Sequence, residues 1–151
     1  MIKKTTLIKM LLCAVTVLAS LSCYAENYNE AKCNQLKHFY IKYQEIWSDD
    51  SCLIWWQNSA YRNYVSSHCT PEFFSLMENE LTNGVGMDFL TCDYGDTMIM
   101  STMNITVSDS CYIMTFQADW PMANGESVIK DVTLYIYTEN GLISDVTESP
   151  K

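Results

Sequence analysis

The chain has 151 residues with 18 acidic and 9 basic side chains, a formal net charge of −9, and 48% hydrophobic residues. That balance repels polyanions, which excludes nucleic acid and anionic lipid as electrostatically drawn partners. The length suits one domain around one modest core.

The first 25 residues read as an export signal. Lys3, Lys4 and Lys9 precede an apolar run from Met10 to Leu21, and Ser22-Cys23-Tyr24-Ala25 supplies small residues for a cut after Ala25. The run is too short for a membrane span, which needs roughly 20 residues. The expected organisation is a signal peptide over 1–25 and a single domain over 26–151, placed in the periplasm or secreted. A second reading lipidates Cys23, although Ser20 stands where such signals usually carry leucine. The signal holds three lysines and no acid, so the remaining 126 residues carry a formal charge of −12.

From Asn29 to Trp47 the residues Cys33, Leu36, Tyr40, Tyr43 and Trp47 recur at spacings of three and four, which predicts one face of a helix. Ser48-Asp49-Asp50-Ser51 breaks it and offers caps for a second helix from about Cys52 to Ser67, where Ile54, Tyr61 and Val65 share a face. The two helices are expected to form a hairpin turning near Asp50.

Two of the seven cysteines lie in the signal. Cys33, Cys52, Cys69, Cys92 and Cys111 remain, an odd number in an oxidising compartment. None forms a CxxC pair, so neither a zinc ribbon nor a thioredoxin-type site is supported. Positions equidistant from a hairpin turn face each other, which predicts a disulfide between Cys33 and Cys69 that would contribute about 3–4 kcal/mol if unstrained.

Thr70-Pro71-Glu72 is a helix start. Thr70 can accept from first-turn amides, Pro71 has the right φ, and Glu72 suits the positive helix end. The third helix is expected to run to about Leu81 and to end at Asn83-Gly84-Val85-Gly86.

The period then changes to two. Tyr112, Met114, Phe116, Ala118 and Trp120 alternate with Ile113, Thr115, Gln117 and Asp119, the pattern of a half-buried strand. Strands near Thr97 to Val107 and Ser127 to Thr138 flank it, and Asn140-Gly141 signals a hairpin into a last strand, Leu142 to Val146. Three N-terminal helices followed by a curved antiparallel meander of about four strands make an α+β fold, with the helices covering one sheet face.

Tyr64-Val65-Ser66-Ser67-His68-Cys69-Thr70-Pro71-Glu72-Phe73 opens the third helix, Asp93-Tyr94 precedes the first long strand, and Ile143-Ser144-Asp145-Val146 closes the last hairpin. With this element order, the stretch from Tyr64 to Val146 resembles an uncharacterised family of small bacterial exported proteins in the nuclear-transport-factor-2-like superfamily. The resemblance implies a cone-shaped fold whose sheet wraps a pocket, used across the superfamily for small ligands, for dimer contacts and in some members for catalysis. A homodimer is what it implies for assembly. Fold alone does not choose among these uses.

Trp55, Tyr61, Tyr94, Tyr112, Met114 and Phe116 are the expected ligand-lining residues, because aromatic rings offer large rigid contact areas with polar edges. Ordinary core packing is the competing account of each. Met98, Met100 and Met103 with Cys92 and Cys111 would offer soft ligands to copper(I), but core filling explains the same methionines, and no metal or cofactor is expected. His68 beside Cys69 does not make a nucleophile and base, since adjacent helical residues point apart. His38 is expected on the solvated side of the first helix. Asp93, Asp96 or Asp119 could serve an acid–base enzyme, as in some relatives. The leading expectation is a non-enzymatic exported binder of a small apolar or amphipathic ligand. The alternative is an envelope inhibitor or immunity-type protein whose acidic face meets a basic protein partner.

Overall fold

The computed structural model describes residues 29–48, 55–83, 88–92, 97–123 and 125–151. Residues 1–25, where an export signal is expected and which include Cys23, lie outside the described residues, as do Cys52, Asp93, Tyr94 and Asp96. The fold is α+β, with three helices and one open four-stranded antiparallel sheet. No helix among the described residues is long and apolar enough to cross a membrane.

Helix α1 covers residues 29–47, as its periodicity predicts. Its buried stripe is wider than the predicted face: Phe39, Tyr40, Tyr43 and Ile46 are fully buried, while Cys33, Leu36 and Trp47 pack at the edges. A stripe of this width fits a helix lying on a sheet rather than along a narrow seam.

The second helix departs from expectation. A 3-10 turn, Trp55–Gln57, precedes α2, Ser59–Ser66. Asn58 is the cap: its backbone is extended, and its side-chain oxygen accepts from the amides of Ala60 and Tyr61 at 3.0 and 3.3 Å. Asn is among the strongest N-caps, so it sets the start of α2 at Ser59. Helix α3, Pro71–Asn83, starts where Thr70-Pro71-Glu72 places it and runs two residues past Leu81. It buries Phe73, Phe74, Met77 and Leu81. Arg62 of α2 grips Glu78 of α3 through two guanidinium nitrogens and lies over the Phe74 ring.

The strands β1 (Met98–Val107), β2 (Tyr112–Pro121), β3 (Ser127–Glu139) and β4 (Leu142–Thr147) form a meander in the order β1-β2-β3-β4. Alternation puts Met114, Phe116, Ala118, Val132, Leu134 and Ile136 on the covered face and leaves Thr115, Asp119, Asp131 and Thr133 in water. The β1–β2 register shifts between Ile99 and Asn104. Thr102 fills the gap: its hydroxyl donates to the Ile99 carbonyl at 2.7 Å and accepts from the Gln117 amide at 2.8 Å. The side chain thereby replaces ladder bonds that the bulge removes.

The hairpin β3–β4 turns through Asn140 and Gly141, both at positive φ of 52° and 83°. Two consecutive left-handed residues are what a tight hairpin requires, and Asn-Gly takes them at least cost. Strand β4 then joins the end of α2: the Thr70 amide donates to the Ile143 carbonyl, and the Ile143 amide donates to the His68 carbonyl, each at 2.8 Å.

Cys33 and Cys69 do not form the expected disulfide; both are free thiols, as is Cys111. The reason is the register of the two helices. Phe39 stacks on Tyr64 and His68 at ring distances of 6.0 and 4.9 Å, so it is Phe39 that sits opposite the end of α2. Cys33 is six residues away, about 9 Å along a helix rising about 1.5 Å per residue. It faces a shallow hollow with Ile105 and Val107 instead. Cys69 is buried and pinned beside β4 by its bridge to Ile143.

Candidate functional site

A cavity of about 340 Å³ opens between the first half of α1, the end of α2 and the β3–β4 turn. Residues on one side of α1 at helical spacing, Lys32, Gln35, Leu36 and Phe39, form one wall, and His38 adds to its rim. Tyr64 and His68 come from the end of α2. Tyr112 opens β2, while Thr138, Gly141 and Ile143 bracket the hairpin. The volume lies within the range of small-molecule sites.

The floor is a stack of rings. Phe39, itself buried, lies parallel to Tyr64 and to the His68 imidazole, and Tyr64 and His68 approach to 4.6 Å between centroids. Partial burial holds the Tyr64 phenol above its usual titration range.

Both histidines of the chain line the cavity. His38 Nδ1 is 2.8 Å from the Asn34 carbonyl, and His68 Nδ1 is 2.8 Å from the Tyr64 carbonyl. A carbonyl oxygen can only accept, so each Nδ1 carries a proton and donates it, and each ring has Nε2 for other partners. The Ser67 hydroxyl also donates to the Tyr64 carbonyl at 2.7 Å, which anchors the same turn.

Gly141 matters to the cavity beyond its φ. A β-carbon at Gly141 would lie 3.3 Å from Lys32 Nζ, so the bare glycine makes room for the ammonium. Among the described residues, the wall carries no aspartate or glutamate. Tyr112 and Thr138 separate it from a shallower hollow that holds Asp109.

Of the expected ligand-lining residues, Tyr112 lies on this cavity. Met114 and Phe116 are buried in the core, and Tyr61 packs against the core from α2. Trp55 opens the 3-10 turn. Asp119 is exposed on the outer sheet face. Met98, Met103 and Cys111 are buried, and no group of three or more His, Cys, Asp or Glu among the described residues is arranged to hold a metal ion.

Lys32 and Gln35 stand on this wall although the sequence reading passed over them, and so does His68, which that reading weighed only as a base beside Cys69. The legible signal was a polar row, Lys32 and Gln35, running beside the apolar row of Leu36 and Phe39. His38 is solvent-exposed, as expected, but at the cavity's rim. Asp88 also escaped notice. It is buried, and its carboxylate accepts from the Tyr43 hydroxyl at 2.9 Å, from the Leu90 amide at 3.0 Å and from the Thr91 hydroxyl. This network ties residues 88–92 to α1 in the core and does not line the cavity.

No protein-family model matches the chain, and a search of curated proteins finds no match. Among solved structures, the chain is similar to the crystal structure of a protein of unknown function from Bacteroides thetaiotaomicron. The TM-score is 0.59 at 16% identity, over 87% of this chain and 98% of that one. At this identity the likeness shows the fold alone.

Proposed function

We propose that this chain is an exported, non-enzymatic binding protein of nuclear-transport-factor-2-like fold that takes a small amphipathic molecule into the cavity between α1, the end of α2 and the β3–β4 turn. The cavity's construction carries the reading: an aromatic and aliphatic floor of Phe39, Tyr64, Leu36 and Ile143 under a polar rim. A few placed polar groups over an apolar base are the usual makeup of a small-molecule site. The helix pair, third helix and meander support the fold assignment, and the three-part pattern of the first 25 residues supports export.

Native mass spectrometry of the protein isolated from its producing cells tests this. The expected spectrum holds a small-molecule adduct that leaves on gentle activation and is absent from the Leu36→Trp variant, whose larger side chain grows into the cavity. Bare protein in both spectra would overturn the reading.

The end of the β2–β3 hairpin favours a second reading, contact with a protein partner. Met122, Val128 and Ile129 are exposed there at 47, 44 and 51%, next to Trp120 with the Lys130 ammonium 4.4 Å above its ring. A co-isolated polypeptide in place of the small adduct would move the function to this surface.

A further inference from the structure

We infer that His38 and His68 together hold a late first-row divalent metal ion, such as Zn2+, through their Nε2 atoms at the rim of the cavity. The inference stands apart from the reading of the cavity as a small-molecule site.

The register of the helices sets the two rings against each other. Trp47 of α1 meets Trp56, just ahead of α2, at 6.5 Å between ring centroids. Phe39, about two turns back along α1, meets Tyr64 and His68 at the far end of α2. The two helices therefore run antiparallel. The Tyr64 phenol, raised first by its burial, also feels the charge of Lys42, so these two side chains are neighbours across the pair. One turn back from Lys42 on the same face of α1 stands His38, and one turn on from Tyr64 stands His68. In an antiparallel pair those steps run in the same direction, so His38 comes to face His68. Both line the same cavity of about 340 Å³.

The rings are prepared as ligands. Nδ1 of His38 donates to the Asn34 carbonyl and Nδ1 of His68 to the Tyr64 carbonyl, each at 2.8 Å, with Ser67 Oγ 3.1 Å from the second. Metal-ligating histidines donate their other ring nitrogen in this way, which fixes the tautomer, orients the ring and makes the ligating nitrogen more basic. Among the described residues, no hydrogen bond engages Nε2 of either ring. Stacking on Phe39 holds the His68 ring, and His38 is exposed at the rim, so an ion reaches the pair from solvent. Neutral imidazole suits zinc, copper and nickel, whereas calcium and magnesium take oxygen donors. Two protein nitrogens leave the remaining positions of a tetrahedral zinc open to water or to a ligand.

Titration of the full chain with Zn2+, followed by calorimetry and by long-range 1H–15N spectra of the imidazoles, tests the site. Zn2+ has no redox chemistry and leaves the thiols reduced. The native chain is expected to bind a single Zn2+, and His38→Gln and His68→Gln are each expected to weaken it about tenfold or more. In the spectra Nε2 of both rings should shift on binding while both Nδ1 protons stay in place. Absence of Zn2+ binding by the native chain would overturn the inference. So would binding that either substitution leaves within about twofold of native, because the ion would then sit on one histidine or elsewhere. If a variant fails to fold, the native spectra decide, since a shift confined to one ring overturns the pair.

Discussion

The hydroxyl of Tyr43 donates to a carboxylate oxygen of Asp88 across 45 positions of sequence, at 2.9 Å, inside the core. Burial, with Asp88 beside it, pushes the Tyr43 phenol well above its usual titration range, so it remains a donor across the physiological range. Tyr43→Phe removes that donor and keeps the ring. The expected cost is about 1–3 kcal/mol, because a buried carboxylate loses one of its hydrogen bonds. Urea unfolding of the two proteins, with m unchanged, checks it.

The pair Arg62–Glu78 sets a pH dependence. The Arg62 guanidinium holds the Glu78 carboxyl below its usual range. A depressed carboxylate contributes stability above its unfolded-state value of about 4.3, and that contribution is lost as pH falls through the lower folded value. The side chains are 43 and 31% exposed, so solvent screens the pair. Glu78→Gln is expected to lower Tm by about 1–3 °C at neutral pH. The two melting curves should converge below the folded Glu78 titration. A gap that persists there would mean the pair acts through packing on Phe74.

Gly141→Ala is expected to destabilise by about 1–2 kcal/mol. The added carbon must sit at φ 83°, a region that costs L-residues roughly that amount. It also meets Lys32 Nζ at 3.3 Å. Asn140→Gly, at the neighbouring left-handed position, should change stability far less, because glycine takes this conformation readily. Thermal melts separate the two effects.

Thr102→Val keeps the β-branched shape at the β1 bulge and removes both hydrogen bonds of the hydroxyl. The Gln117 amide then has no acceptor at that place in the ladder, at an expected cost of about 1–2 kcal/mol. Amide exchange at Gln117 should accelerate, and exchange at Leu134 in the adjoining core strand should follow global stability alone.

The thiols should differ in reactivity. Burial pushes the Cys69 thiol up to about 12, so it holds little thiolate near neutral pH. Cys33 is only half-buried and is shifted up by a smaller desolvation. Alkylation of the folded protein should mark Cys33 first and reach Cys69 only in denaturant. An unreduced digest should yield no peptide joining Cys33 to Cys69, and finding one would contradict the register of α1 against α2.

Much of the fold was legible because it depends on neighbours in sequence. The three-and-four spacing from Cys33 to Trp47 marks α1, Thr70-Pro71-Glu72 opens α3, and the alternation from Tyr112 to Trp120 marks β2, each by hydrogen bonds and side-chain faces that span a few residues. The start of α2 was misread because Asn58 competes with the earlier Ser48–Ser51 run, and both are chemically sound caps. Tyr112 was found as a cavity residue, whereas Met114 and Phe116 share its strand face but continue under the helices into the core.

By itself, then, the sequence determined element types, their order and the acidic balance, since propensity, capping and charge are local or additive. Only the tertiary structure decided that Phe39, not Cys33, lies opposite the end of α2, and that Asp88 reaches Tyr43. It also brought Lys32, His38 and His68 to one hollow. Those outcomes follow from how three helices settle on a twisted, bulged sheet, where a shift of one helical turn exchanges every partner. No local pattern records that choice, because it is made by packing between residues tens of positions apart.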